Sequence, residues 1–137
     1  MGSTIVNHNQ LVMDYKTKLR EVMGIESNDI VITIPKTIAW KDYEKELKAV
    51  EDYSQVMNFK VNAFPKTKIG SKCYLCYKDN VIGWMEIVGL SEKEFDCTTT
   101  GNHWKGKFIE RSGPFHKINS IPLKGFRGFR YFDNINK

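Results

Sequence analysis

The sequence predicts an α+β fold, a small and mostly antiparallel barrel of about five or six strands with two N-terminal helices. Apolar residues recur at helical spacing in two segments before residue 55, and they alternate at the strand spacing of two after it. Helices segregated from many short strands are typical of α+β domains that curl into a small barrel. The length of 137 residues fits a single domain over 1–137.

Two helices are predicted in the first half of the chain. The first covers about residues 9–23 and carries an apolar stripe at helical spacing (Val12, Tyr15, Leu19 and Val22). The second covers about residues 38–52, has its own stripe, and is preceded by Thr37 as a candidate N-cap. Residues 1–8 are expected to be disordered or, in the opening Met-Gly-Ser, left over from cloning.

Strands are predicted on both sides of the second helix. "NDIVITIPK" is rich in β-branched residues and is halted by Pro35. "MNFKVNAF" alternates apolar and polar positions, and "KCYLCYKDNVIGWMEIVGL" has the pattern of a hairpin turning at Asp79-Asn80. "KGKFIERSGPFHKI" is predicted to be two strands broken at Ser112-Gly113-Pro114.

The stretch "IPLKGFRGFRYFDN", residues 121–134, interleaves aromatic rings with arginines. Single-stranded nucleic acid stacks on such surfaces, and a closing barrel strand also buries rings. Gly128 is expected to bend this last strand. The rings after the bend are expected to lie mostly in the core (Phe129, Tyr131 and Phe132). The arginines are expected to point outward and to serve a ligand (Arg127 and Arg130).

Basic residues concentrate in two segments. Residues 56–78 carry five lysines and no acid, and residues 101–132 carry seven bases against one acid, within a net charge of +5. If the fold brings the two segments together, their combined patch would attract a polyanion. A solvated lysine surface is the alternative, and charge alone does not decide between the two.

The three cysteines predict neither a disulfide framework nor a metal site. An odd count in a chain of this size indicates reduced thiols and a cytoplasmic location. Cys73 and Cys76 lack a second close pair of zinc ligands, and on a strand they would face opposite sides. We therefore expect buried thiols, no metal and no cofactor. No apolar run reaches the roughly 20 residues of a membrane helix, and the N-terminus lacks the pattern of a signal peptide.

Residues 80–90, "NVIGWMEIVGL", are predicted to form a central strand because both of their faces are apolar. Glu86 lies in the middle of this strand, and a buried carboxylate is costly unless it is paired. Two roles stay open: a structural partner of a lysine, or a functional acid whose pKa is raised by burial.

Two segments resemble PUA-like domains, in particular the ASCH group. "IGSKCYLCYKDNVIGWMEIVGLSE", residues 69–92, is similar to their strand pair with a central acid, and "IPKTIAW", residues 34–40, to the segment that places a lysine at the mouth of the cleft. The likeness covers about residues 30–132. It implies a pseudo-barrel of five or six strands that binds RNA or modified nucleobases.

Some ASCH members are hydrolases, either amidohydrolases acting on a modified cytidine nucleoside or ribonucleases. For such an enzyme the resemblance implies Lys36, Thr37 and Glu86 as the catalytic residues. Lys36 and Thr37 are immediate neighbours here, which departs from the amidohydrolase pattern, so binding is favoured over catalysis.

The leading hypothesis is therefore a module that binds RNA or a single-stranded or modified nucleobase in a cleft. Tryptophans would stack on the base, Glu86 would accept from an exocyclic amine, and basic residues would meet phosphates. The alternatives are an ASCH-type hydrolase and a protein-interaction module for an acidic partner. The expected binding residues are Lys36, Trp40, Lys66, Lys68, Trp84, Arg111, Arg127 and Arg130.

Overall fold

The computed structural model describes residues 28–97 and 100–132. They form a six-stranded sheet, curled into a half-barrel, in the order β2-β5-β4-β3-β1-β6. The predicted helix at 9–23 and the terminal segment 1–8 lie outside the described residues. The elements are β1 (Ile30–Thr33), α1 (Trp40–Ala49), β2 (Met57–Val61), β3 (Lys72–Tyr77), β4 (Asn80–Asp96), β5 (His103–Pro122) and β6 (Phe129–Tyr131). The prediction of a small, mostly antiparallel, barrel-like α+β fold is confirmed at this level.

Helix α1 follows β1 as the sequence predicts, although it is shorter than the predicted 38–52. Its buried side chains are Tyr43 and Leu47, from the predicted stripe. The expectation that Thr37 caps the helix is wrong, because the N-cap is Ala39, which offers no side-chain hydrogen bond. Within the described ranges, no helix combines the length and the apolar character needed to cross a membrane.

The hairpin of β3 and β4 turns one residue earlier than predicted. Lys78 and Asp79 both have positive φ, at 49° and 62°, as a two-residue hairpin turn of the favoured twist requires. Strand β1 runs parallel to β3 and antiparallel to β6. The short β1 thus joins the hairpin to the C-terminal strand.

Strand β5 is continuous, so the predicted break at Ser112-Gly113-Pro114 is wrong. Glu86 of β4 pairs with Ser112, whereas Trp84 pairs with His116. Between these two pairs β4 advances by two positions and β5 by four, and the two extra positions of β5 are taken up as a bulge. Gly113, with a φ of +86°, lets the strand bend there instead of ending.

The two faces of the sheet carry different clusters. The face that α1 covers holds the main core, which includes Ile30, Ile32, Cys73, Leu75, Met85, Ile87 and Ile109. The opposite face, which we call the outer face, holds a smaller buried cluster of Val31, Cys76 and Val81. Cys73 and Cys76 are both fully buried and belong to different clusters, as their spacing on a strand predicts.

The C-terminal segment, β6 and the residue after it, divides its aromatic rings between the two faces. Phe129 and Tyr131 pack against the main core, and Phe132 packs against the outer cluster. Gly128 has a φ of +71°, which places the predicted bend where the strand begins. Arg127 and Arg130 are exposed. The arrangement of this stretch follows the sequence prediction.

Candidate nucleic-acid interface

A row of paired residues crosses five strands of the outer face. Arg130 pairs with Val31, Val31 with Tyr74, Tyr74 with Trp84, and Trp84 with His116. Directly paired residues point to the same face of a sheet, and Val31 belongs to the outer cluster. We call these five residues the cross-strand row. The row places rings and a guanidinium side by side.

One end of the row is a stacked pair with a lysine beside it. The rings of Trp84 and His116 stack with centroids 3.9 Å apart and an interplanar angle of 16°. The ammonium of Lys72 lies 4.8 Å from the centroid of the Trp84 ring. Trp84 and Lys72 are half-buried, whereas His116 is exposed. An exposed ring over a packed ring, next to a cation, is the kind of platform on which bases stack.

The other end of the row is built by the C-terminal segment. Tyr74 stacks on Phe132 at 4.0 Å, and the guanidinium of Arg130 lies 4.5 Å from the centroid of the Phe126 ring. These contacts hold Arg130 at the surface of the outer face, where it is exposed. The rings and arginines of the C-terminal stretch thus serve two purposes, because the rings pack and one packed ring positions an arginine.

Glu86 lies beside the row, two residues after Trp84 on β4. Its carboxylate oxygen Oε1 accepts a 2.9 Å hydrogen bond from the Tyr53 hydroxyl, and its paired neighbour on β3 is Lys72. The expectation of a fully buried acid is wrong, because Glu86 is half-buried. The apolar residues on the same side of β4 therefore do not exclude solvent from Glu86.

Tyr53 reaches Glu86 from the segment that follows α1. That segment packs on the bulge of β5 through two hydrogen bonds. The Gly113 N–H donates a 2.9 Å hydrogen bond to the Val50 carbonyl, and the Ser112 hydroxyl donates a 2.5 Å hydrogen bond to the Gln55 carbonyl. The Tyr53 ring crosses directly over Gly113, where an added Cβ would come within 2.5 Å of it. Burial, and then the hydrogen bond to Glu86, raise the pKa of the Tyr53 hydroxyl. The hydroxyl therefore stays a donor at neutral pH.

Lys36 has a partner of its own. Its ammonium lies 2.8 Å from Oδ2 of Asp79, and the other carboxylate oxygen accepts a 3.0 Å hydrogen bond from the Gly125 N–H. The hydrogen bond from Lys36 lowers the pKa of Asp79. Glu86 lies seven residues further along the chain than Asp79, which is about 23 Å of extended strand. Lys36 and Glu86 thus have separate partners, and the neighbouring Thr37 is exposed.

Arg111 and Trp40 lie on the α1 side of the sheet. Arg111 was expected at the surface, but it is only 3% exposed and donates a 3.0 Å hydrogen bond to the Tyr43 hydroxyl. Trp40 packs against Tyr77 and Phe115, with ring centroids 5.4 and 5.9 Å away. The sheet separates Trp40 from Trp84, so the two tryptophans do not line one cleft.

The remaining predicted residues lie around the edge of the sheet. Lys66 and Lys68 belong to the connection between β2 and β3, where Lys66 is exposed and Lys68 is half-buried. The Lys66 N–H donates 2.8 Å to the Tyr131 hydroxyl, which ties this connection to β6. Arg127 is exposed just before the bend at Gly128.

Of the predicted residues, Trp84, Glu86 and Arg130 share the outer face. Sequence reasoning missed the residues that complete this surface: Lys72, Tyr74 and His116. The predicted hairpin gave no signal for Lys72 and Tyr74, because a turn at Asp79-Asn80 would pair them with Ile87 and Met85. The earlier turn and the bulge between Leu75 and Cys76 instead pair them with Glu86 and Trp84. His116 depends on the bulge in β5, which the sequence does not reveal.

A groove of about 470 Å³ lies on the other side of the sheet, between α1 and β5. Its aromatic lining comes from Trp40, Tyr77 and Phe115, and its charged lining from two glutamates and two lysines. The volume is in the range of small-molecule sites. The balanced charge gives this groove no preference for a polyanion.

The described part of the chain contains no group of three His, Cys, Asp or Glu side chains arranged to hold a metal ion. Burial raises the pKa of the Cys73 thiol to about 12. That thiol is therefore protonated at neutral pH, which makes it unreactive.

No family model, curated protein or solved structure matches this chain.

Proposed function

We propose that this chain binds single-stranded nucleic acid, RNA or DNA, on its outer face. The observation that carries the proposal is the cross-strand row, from Arg130 to His116, with Lys72 next to it. Rings provide stacking that tolerates any base, and flanking cations neutralise phosphates.

Stacking on such a surface contributes affinity for a single strand of any sequence. Each base stacked on an aromatic ring contributes about 1–3 kcal/mol. His116 and Arg130 are exposed at opposite ends of the row, four strands apart, which is a span of about 19 Å at the usual strand spacing. A single-stranded nucleic acid bound along the row would place several of its nucleotides against the outer face.

We further propose that the chain is a PUA-like module related to the ASCH group. A small barrel-like α+β fold, with a helix after the first strand of the sheet, is compatible with that assignment. The resemblance of residues 34–40 and 69–92 supports it from the sequence side. In this proposal the nucleobase is read at an open sheet face, not in a closed cleft.

The hydrolase alternative has less support. It needs Lys36 and Glu86 to act on one substrate, yet Lys36 is held by Asp79 and Glu86 by Tyr53. The interaction-module alternative drew on two helices, and only α1 falls within the described residues.

The test measures binding of fluorescently labelled oligouridine and oligodeoxythymidine by anisotropy over a series of salt concentrations. Lys72→Ala with Arg130→Ala removes two cations of the outer face. Because each phosphate contact to a single strand contributes about 0.7 to the salt slope, the slope should fall by about 1.4. The matched control is Lys41→Ala with Lys45→Ala, two exposed lysines of α1, which removes the same charge from the other side of the sheet.

The proposal predicts weaker binding and a shallower slope only for the outer-face variant. Equal losses in both variants would indicate general charge attraction instead of a defined face. Absence of binding by the wild type would refute the proposal.

A further inference from the structure

We infer that the outer face prefers guanine among the bases of a single strand, and that Glu86 and Lys72 read it. The inference rests on the proposed function, because it assigns base specificity to the same surface. It is carried by the position of one carboxylate and one ammonium beside a stacked ring pair.

The first step is the hydrogen-bonding capacity of Glu86. An ionised carboxylate accepts hydrogen bonds at two oxygens, with about four lone-pair sites. The Tyr53 hydroxyl occupies one site on Oε1. This bond fixes the orientation of the carboxylate and leaves acceptor sites for a ligand. Since Glu86 is half-buried, water competes less for those sites than on an open surface.

The second step is the position of the carboxylate relative to the rings. Glu86 follows Trp84 by two residues on the same face of β4, so their Cα atoms are about 7 Å apart. A base that stacks at the Trp84–His116 pair and is turned along β4 presents its edge to Glu86. Lys72 lies beside both, since it pairs with Glu86 and its ammonium lies 4.8 Å from the Trp84 ring centroid.

The four bases differ in the hydrogen-bond donors and acceptors on their Watson–Crick edges. The Watson–Crick edge of guanine offers two adjacent donors, N1–H and the N2 amine, followed by the O6 acceptor. A carboxylate accepts from both donors, and an ammonium donates to O6. Adenine and cytosine place an acceptor nitrogen next to their single amine, and uracil flanks its N3–H with two carbonyl oxygens. These acceptors repel a carboxylate, so Glu86 with Lys72 matches guanine best.

The test uses the wild-type protein and labelled short oligouridines that carry one central guanine, inosine, adenine or uracil. Inosine lacks only the N2 amine of guanine. We expect guanine to bind about tenfold to a hundredfold tighter than adenine or uracil, and inosine to fall between them. The inosine comparison needs no protein variant, so it does not depend on a substitution that folds.

Glu86→Gln supplies the second arm, because an amide presents one acceptor and one donor where the carboxylate presents two acceptors. The variant should lose most of the guanine preference, measured as the ratio of the affinities for the guanine and uracil probes. The control Glu44→Gln, on the exposed side of α1, should keep the preference.

The possible outcomes distinguish a failure of guanine preference from a failure of nucleic-acid binding. Equal binding of all four probes would overturn guanine selection and leave nucleic-acid binding in place. A guanine preference that survives Glu86→Gln would also overturn the assignment to this carboxylate. Binding of none of the probes would refute the proposed function itself, and the inference with it.

Discussion

The hydroxyl of Tyr53 donates a 2.9 Å hydrogen bond to the carboxylate of Glu86, and the tyrosine ring reaches that position by crossing Gly113 of β5. Tyr53 has a φ of +65°, a conformation that costs a residue with a side chain about 1–3 kcal/mol. The contacts of the segment after α1 with Ser112 and Gly113 offset this cost. The fold thus places a hydroxyl beside the acid of the outer face.

Gly113→Ala should destabilise the fold through this contact. The new Cβ would lie 2.5 Å from the Tyr53 ring, at a backbone φ of +86°. We expect the free energy of unfolding, measured with urea, to fall for two reasons. Alanine is strained at a positive φ, and overpacking against the Tyr53 ring costs about 1–3 kcal/mol more.

The matched control for Gly113→Ala is Gly70→Ala. Gly70 also has a positive φ, of +96°, but an added Cβ there meets no atom within 4 Å. Gly70→Ala should therefore be destabilised only by the strain of an alanine at positive φ. Equal destabilisation by the two substitutions would show that the crossing of Tyr53 over Gly113 is unimportant.

Tyr43→Phe should reveal the dependence of the buried Arg111 on a single hydroxyl. Arg111 is 3% exposed, and within the described residues its Nε has no hydrogen-bond partner. Removing the Tyr43 acceptor leaves Arg111 Nη1 with only the weak thioether acceptor of Met85, 4.0 Å away, which we expect to cost about 1–3 kcal/mol of unfolding free energy.

A double-mutant cycle checks this interpretation. In an Arg111→Met background no guanidinium needs the hydroxyl, so Tyr43→Phe should cost less than about 0.5 kcal/mol. The same cost in both backgrounds would mean that the Tyr43 hydroxyl does not act through Arg111.

Much of the fold could be predicted because it depends on local pattern. The β-branched run before Pro35 forms β1, the alternation at 57–61 forms β2, and the turn beside Asp79 lies within one residue of its predicted place. The pattern does not show how a strand behaves at a glycine. Gly113 was expected to end a strand, but its positive φ bends β5 into a bulge that the neighbouring segment covers.

The candidate site was harder to predict because it depends on pairing between strands far apart in sequence. Nothing in the segment around His116 shows that it will stack on Trp84, since their register follows from the bulge. Charge was also a poor guide to position. Arg111 belongs to a basic segment, yet the parity of β5 directs it into the core beside Ile109 and Met85.

His103 should titrate at a raised pKa near the tip of the β4–β5 hairpin. Its two ring nitrogens lie 2.8 Å from a carboxylate oxygen of Asp96 and 2.7 Å from one of Glu94. The hydrogen bond to Asp96 has the largest effect, and together the two bonds raise the pKa of His103 above the usual 6.5. An NMR titration of the ring should show this directly. Asp96→Asn should move the midpoint of His103 to lower pH, and an unchanged midpoint would contradict the assigned cause.

The same shift sets the direction of a pH effect on stability. A pKa that is higher in the folded state means that the folded protein binds the proton more tightly. The stabilisation by His103 is therefore fully present below the unfolded pKa of about 6.5, and it is lost as the pH rises through the folded pKa. The difference in unfolding free energy between wild type and His103→Gln should be larger near pH 5.5 than near pH 9, at about the same ionic strength. A difference independent of pH would contradict this.

The most direct test of nucleic-acid binding on the outer face uses two of the three tryptophans, Trp84 and Trp40, as reporters on opposite sides of the sheet. Trp84 stacks on His116 in the cross-strand row, whereas Trp40 lies in the groove beside α1. Their indole N–H signals, assigned by Trp→Phe variants, are followed by NMR during titration with a short single-stranded oligonucleotide. Binding on the outer face predicts that the Trp84 signal shifts with saturation while the Trp40 signal stays in place. A shift of Trp40 with an unchanged Trp84 would place the ligand on the other face and contradict binding at the cross-strand row.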